Sequence, residues 1–182
     1  MLIRKLETYA EYSKAVDLRI RYWNEELAGH RTTELSPEKE LDFLVEWEQS
    51  AADYDDKRVL YGVFDEGVFA GFAGGSYAEI EDDENAFELN YLFVAKAYRG
   101  KGYSLQLMLK LIDDFLKSGK SKMVVYSHRH APSNAFYRKY GGGVIREVIQ
   151  GEDQLLVDVF VFDAEILKRR LKRSLEARDC AK

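Results

Sequence analysis

Apolar residues recur at two different periods along this chain, and the places where the period switches mark its elements. The clearest switch lies within residues 86–119. Phe87 to Val94 is rich in aromatic and β-branched residues in near alternation, which predicts a strand. Leu105, Met108, Leu109, Ile112, Phe115 and Leu116 then recur at helical spacing, and Gly119 stands where a helix C-cap belongs. Upstream, residues 1–6 read as a strand, and Thr8-Tyr9-Ala10-Glu11 is a capping box. It opens a helix with Val16, Ile20, Trp23 and Leu27 on one face, and Trp23 reads as core, with a place beside Tyr22 in a substrate groove as the alternative. Gly29-His30 begins a polar link, with His30 facing solvent. Ser36-Pro37-Glu38 starts a second helix, continued by Leu41, Leu44 and Val45 and fading near Ala51-Ala52. Val59–Phe64 and Val68–Tyr77 form a hairpin about Asp65-Glu66-Gly67. Gly71, Gly74 and Gly75 in its second strand indicate a bulge or a close backbone approach.

Downstream, Lys122–Ser127 is a short buried strand, and Pro132-Ser133 opens a short helix from Asn134 to Tyr140, closed by Gly141-Gly142-Gly143. Val144–Ile149 and Leu155–Phe162 form a last hairpin about Gln150-Gly151-Glu152-Asp153. Asp163 then caps a basic helix in which Leu167, Leu171 and Leu175 make a narrow stripe. That stripe predicts a seam against a second copy of the chain, a homodimer contact.

Composition narrows the class. The chain has 182 residues, 46% hydrophobic and 32% charged, which suits one soluble globular domain spanning 1–182. No apolar run is long enough to cross a membrane, and the N-terminus lacks a signal peptide's apolar core. With a single cysteine, Cys180, no internal disulfide forms, and a cytoplasmic protein is expected. A net charge of −5 argues against nucleic acid as the main partner. Neither a metal-ligand pattern nor a low-complexity linker stands out.

The candidate chemistry lies between the strand and the helix of residues 86–119, at Arg99-Gly100-Lys101-Gly102-Tyr103-Ser104. A glycine turn feeding a helix start presents unpaired backbone N–H groups at the positive end of the helix dipole, a site for phosphate oxygens. Arg99 and Lys101 add charge. The Walker A pattern is absent, and the dinucleotide fingerprint fails because Leu105 stands where its third glycine belongs. The stretch resembles the pyrophosphate loop of the GNAT superfamily of acetyl-CoA-dependent N-acetyltransferases, [QR]-x-x-G-x-[GA]. Arg99 and Gly102 match, and Ser104 departs at the last position. A second segment resembles that family's N-x-x-[AS]-x-x-F-Y-x-x-x-G-[FG] signature through Ser133, Phe136, Tyr137, Gly141 and Gly142. His130 occupies the leading Asn position, and Asn134 is out of register with it.

This resemblance spans roughly residues 58–162 and implies the α/β acyl-CoA N-acyltransferase fold. That is a mixed, mostly antiparallel sheet of about seven strands, helices on both faces, and a splay between the fourth and fifth strands holding acetyl-CoA. Residues 164–182 form a helical extension. It implies that Leu92, Phe93 and Val94 bind the pantetheine and thioester, and that Gly100 to Ser104 hold the pyrophosphate. Ser133 belongs to the same cofactor surface, as does His130 in the place of the family's Asn. Tyr137 matches the acid that protonates the leaving thiolate; packing against the cofactor is the alternative. By alternation Glu88 shares a face with Asn90 and Leu92, placed to hold an ammonium or take its proton through water. The expected activity is direct transfer of acetyl to a primary amine, with no enzyme nucleophile. Three acidic stretches, Asp53–Asp56, Glu79–Glu84 and Glu88, suggest a small cationic acceptor. A protein or peptide acceptor, or a non-catalytic acyl-CoA-binding regulator, is the alternative.

Overall fold

The computed structural model describes residues 1–26, 35–151 and 154–180. The expected positions of His30 and of Glu152-Asp153 lie outside them. The strands are β1 (Leu2–Lys5), β2 (Val59–Asp65), β3 (Val68–Tyr77), β4 (Ala86–Val94), β5 (Lys122–His128), β6 (Gly143–Gln150) and β7 (Leu155–Asp163). They form one sheet in the order β1-β2-β3-β4-β5-β7-β6, antiparallel except for the parallel pair β4–β5. The helices are α1 (Tyr9–Glu26), α2 (Pro37–Gln49), α3 (Tyr103–Lys117), α4 (Ser133–Lys139) and α5 (Ala164–Asp179).

Local signals set most boundaries. Thr8 Oγ1 accepts the Glu11 N–H and Glu11's carboxylate accepts the Thr8 N–H, the reciprocal bonds of a capping box. Ser36 caps α2 with Pro37 at its first position, and Asp163 accepts from Ile166 N–H to cap α5. Gly119 ends α3 in the left-handed region, at φ 81°.

Two apolar layers cover the sheet. On one face α3, α4 and α5 bury Phe87, Leu89, Met108, Leu111, Phe115, Val125, Tyr137 and Phe160, with Phe87 stacked on Phe115 at 4.5 Å. On the other, α1 and α2 bury Val16, Tyr22 and Leu44 against Leu60, Phe72 and Tyr91. The guanidinium of Arg19 pairs with Glu40 of α2 and lies over the rings of Trp23 and Tyr91, at 4.9 and 5.3 Å.

The structure corrects two expectations. The leucine stripe of α5 does not wait for a second copy: Leu167 and Leu171 are fully buried, and Leu175 packs on the same cluster as α3. Lys168 of α5 pairs with Asp113 of α3 at 2.8 Å. The stripe is narrow because it fits along one helix of its own chain. The second correction concerns β4. Gly74 pairs with Tyr91 and Gly75 with Leu89, so Asn90 is an extra residue, a bulge. Strict alternation fails there. Leu92 joins the layer of Phe87 and Leu89, not the face of Glu88, whereas Tyr91 and Phe93 turn to the α1–α2 layer.

Leu171→Ala leaves a cavity beneath α5 and should cost about 2–5 kcal/mol in urea unfolding. A loss below 1 kcal/mol would mean that α5 does not close this core.

Candidate active site

Parallel pairing between β4 and β5 stops at Glu88↔Val124. Beyond it, Leu89–Val94 remain paired to β3 and Val125–His128 to β7, so the two strands diverge with their facing edges unpaired by each other. A cavity of about 370 Å³ occupies the gap. Leu89, Leu92, Val125, Ser127, Ser133 and Tyr137 line it from the α3–α4 side. Trp23, Asn90, Phe93, Tyr126 and His128 line it with the β6–β7 hairpin residues Gln150, Gly151, Leu155 and Val157. Residues of both layers meet in one space, so the opening passes through the sheet.

Of the residues named from sequence, Leu92, Phe93, Ser133 and Tyr137 line this cavity. Tyr137 is buried on α4, edge-on to Phe136 and against Phe160. Ser133 Oγ lies 3.4 Å from Ser127 Oγ, joining α4 to β5. Val94 is packed into the core and its carbonyl accepts from Arg99 Nε at 3.1 Å, so it does not line the cavity. His130 is exposed in the turn after β5, whereas His128 lines the cavity, 5.6 Å away between ring centres. The buried Asn134 holds this turn, its amide nitrogen donating to the carbonyls of His128 and Arg129 at 2.9 Å each.

Sequence reasoning set Trp23 in the core and gave Asn90, Tyr126 and His128 no role. Trp23 is half-buried and forms a wall. The bulge aims Asn90 inward, and the only sequence signal for it was the Gly74-Gly75 pair on the neighbouring strand.

The loop before α3 has the geometry of an anion site. Gly100 and Gly102 have φ of 80° and 85°, in the left-handed region that disfavours side chains. Gly102 is the N-cap and supplies no side-chain bond, and the first intrahelical bond runs from Gln106 N–H to its carbonyl. The N–H groups of Tyr103, Ser104 and Leu105 therefore precede the helix's own bonding. The cationic side chains are partly engaged: Lys101 pairs with Asp65 at 2.9 Å, and the Arg99 guanidinium lies 4.6 Å from the Tyr22 ring. Tyr103 is buried, leaving its backbone rather than its side chain for a ligand.

Glu88 does not line the cavity but is coupled to it. Ser76 Oγ donates to Asn90 Oδ1 at 3.1 Å, and Asn90 hydrogen-bonds the Glu88 carboxylate. Burial, with Asp82 next and then Glu79 and Asp56, pushes this carboxyl up to about 7, against the opposing bond from Asn90. The acidic funnel expected from sequence is only partly assembled. Asp56 pairs with Arg58, Asp83 with Lys122, and the fully enclosed Asp82 with Arg146 and Tyr126. Asp53 borders a separate groove beside Tyr9 and Asp42. Among the described residues no cluster of His, Cys, Asp or Glu forms a metal site, and no helix is long and apolar enough to cross a membrane.

A mostly antiparallel sheet split at its parallel pair, beside an uncapped helix start, is the acyl-CoA N-acyltransferase fold. Residues 14–142 match the acetyltransferase (GNAT) family, and the chain belongs to it. Its acyl donor is acetyl-CoA. The fold is shared with a ribosomal-protein-alanine N-acetyltransferase of Brucella melitensis, 20% identical, covering 90% of this chain and 99% of that one, TM-score 0.64. PaiA N-acetyltransferase of Thermoplasma acidophilum, in complex with coenzyme A, is 21% identical over 86% of this chain and 96% of its own, TM-score 0.61. A phosphinothricin acetyltransferase of Sinorhizobium meliloti, in complex with acetyl-CoA, is 15% identical over 89% and 87%, TM-score 0.67. Comparison with curated proteins finds no match.

A carboxyl raised to about 7 keeps its proton in the folded state while the unfolded chain loses it near 4.5, so it costs stability as pH rises between those values. Glu88→Gln should therefore gain melting temperature over wild type from about pH 4.5 to 7, with a constant gap above. A gap independent of pH would mean that Glu88 titrates normally.

Proposed function

We propose that this protein is an N-acetyltransferase that moves acetyl from acetyl-CoA directly to a primary amine on a small cationic molecule. The observation that carries this reading is the through-sheet cavity, which joins Tyr137 on one side to the Asn90–Glu88 pair on the other. The residues present fit the donor. The unpaired strand edges around Leu92 and Phe93 suit an amide-bearing arm, and the free N–H groups after Gly102 suit a pyrophosphate. Bound there, acetyl-CoA supplies the acetyl group as a thioester. Edge amides of β4 are preorganised donors for a carbonyl oxygen, shielded from water.

With its pKa raised to about 7, Glu88 is partly ionised at neutrality, and in that form its carboxylate is able to take a proton from an ammonium, through an intervening water, and release it to solvent. Tyr137 donates its hydroxyl proton to the departing sulfur; a tyrosine near 10 and a thiol near 8.5 are matched closely enough for that transfer. Attack by the amine itself requires no enzyme nucleophile, and Cys180, exposed on the terminal residues, takes no part. Preference for a cation is supported by the field of Asp82, Glu79 and Asp56 at Glu88.

Turnover of acetyl-CoA against a panel of amines, followed by free thiol, tests the activity. Tyr137→Phe should lower kcat about 10²-fold or more with little change in acetyl-CoA affinity. Glu88→Gln should remove a limb of kcat/KM that rises through pH 7. Tight acetyl-CoA binding without turnover of any amine, peptides included, would instead identify a non-catalytic acyl-CoA sensor. The advantage of cationic over neutral acceptors should shrink as salt rises. A preference for neutral amines, indifferent to salt and to Glu88→Gln, would refute the substrate class.

A further inference from the structure

The family match ends at residue 142, and α5 lies wholly beyond it. Its polar contacts are not spread along the core it covers. Arg178 Nη1 donates to the Gly100 carbonyl at 2.6 Å, and Leu175 closes on Gly102, where an added Cβ would meet its Cδ2 at 2.9 Å. One end of the helix thus touches both left-handed glycines of the phosphate loop. Farther back, Arg170 Nη1 donates to the Tyr140 carbonyl at 2.9 Å. Tyr140 is the C-cap of α4, the helix that carries Tyr137. The same guanidinium occupies the space a side chain would need at Gly141, whose φ is 89°.

We propose that α5 is a strut that sets the relative position of the two cofactor-holding segments, with Arg178 and Arg170 as its positioning residues. This rests on the acetyl-CoA site proposed above. Three physical features support it. A trans peptide is planar, with C=O and N–H on opposite edges. Fixing the Gly100 carbonyl on Arg178 therefore fixes the rotation of the Lys101 N–H and, with it, the turn that leads into the proposed phosphate donors after Gly102. Arg170 satisfies a carbonyl that the end of α4 leaves unbonded, and a cation there complements the helix dipole. The two arginines stand eight residues apart on the helix, about 12 Å of rigid spacer. Leu167 and Leu171 seat that spacer in the core, and the Lys168–Asp113 pair tethers it to α3. The two arginines thus act at opposite ends of the site: one on the orientation of the phosphate donors, the other on the helix that aims Tyr137.

The test separates these roles. Acetyl-CoA affinity by calorimetry and steady-state kinetics are measured for wild type, Arg178→Ala, Arg178→Lys, Arg170→Ala and Arg173→Ala, each with its melting temperature. Arg173 is exposed on the same helix and serves as the control. Arg178→Ala should weaken acetyl-CoA binding and raise its KM about tenfold, the worth of one charge-assisted hydrogen bond, with kcat at saturation nearly unchanged. Arg178→Lys should recover part of the loss, because an ammonium still donates to the carbonyl. Arg170→Ala should instead lower kcat more than it changes acetyl-CoA affinity. Folded variants whose KM and kcat equal those of Arg173→Ala would overturn the strut while leaving the acetyltransferase reading intact. A wild-type protein that binds no acetyl-CoA would overturn both.

Discussion

Everything at the site depends on where hydrogen bonding between β4 and β5 ends. Had the parallel pairing continued past Glu88↔Val124, Leu92 and Phe93 would bond to β5, and no cavity would exist. Two features hold the strands apart without leaving either loose. Each stays paired on its outer side, β4 to β3 except at the bulged Asn90, and β5 to β7. The Asn90 bulge adds local twist to β4 at the point of divergence. The unpaired inner edges would carry a desolvation cost if they were sealed from both water and ligand. An edge built this way is competent to receive an extended, amide-bearing ligand as if it were another strand.

The bulge also decides which groups share that opening. By exchanging the faces of all later β4 residues, it sends Tyr91 and Phe93 to the α1–α2 layer and Leu92 to the α3–α4 layer. It leaves Asn90 between them, bonded to Ser76 on one side and to Glu88 on the other. Glu88 is consequently buried next to other carboxylates yet linked to the cavity by a single side chain. Burial dominates its raised pKa, and the neighbouring acids add to it. Of those acids, Asp56 is tied to Arg58 and Asp82 to Arg146. Their main consequence is therefore local, at Glu88, rather than a broad negative entrance. The formal charge of the chain overstates the field a substrate meets.

Much of the architecture was legible in the chain because its signals are local. The Thr8–Glu11 box, the Ser36-Pro37 start, the Asp163 cap and Gly119 each act within one turn of helix, so the elements they bound follow from short segments. The glycine turn before α3 was legible for the same reason: Gly100 and Gly102 adopt the left-handed conformation that glycine alone tolerates freely. The Ser133–Tyr137 segment was recognised by its pattern, and two of its residues face the cavity.

What the sequence could not decide was anything requiring two distant segments to meet. Alternation put Glu88 and Leu92 on one face, and only pairing with Gly74-Gly75 across the sheet inserts the extra residue that separates them. Position in a motif pointed to His130, whereas the turn held by Asn134 leaves His128 at the cavity. Trp23 looked like core because helical periodicity marks an apolar face without saying what lies opposite, and here the opposite side is partly a gap. The leucine stripe of α5 carried the same ambiguity, resolved by α3 of its own chain. Periodicity and caps are properties of neighbours along the chain. Which face meets which, and where a sheet comes apart, are settled by packing and pairing between residues far apart in sequence, and those exist only in the tertiary structure.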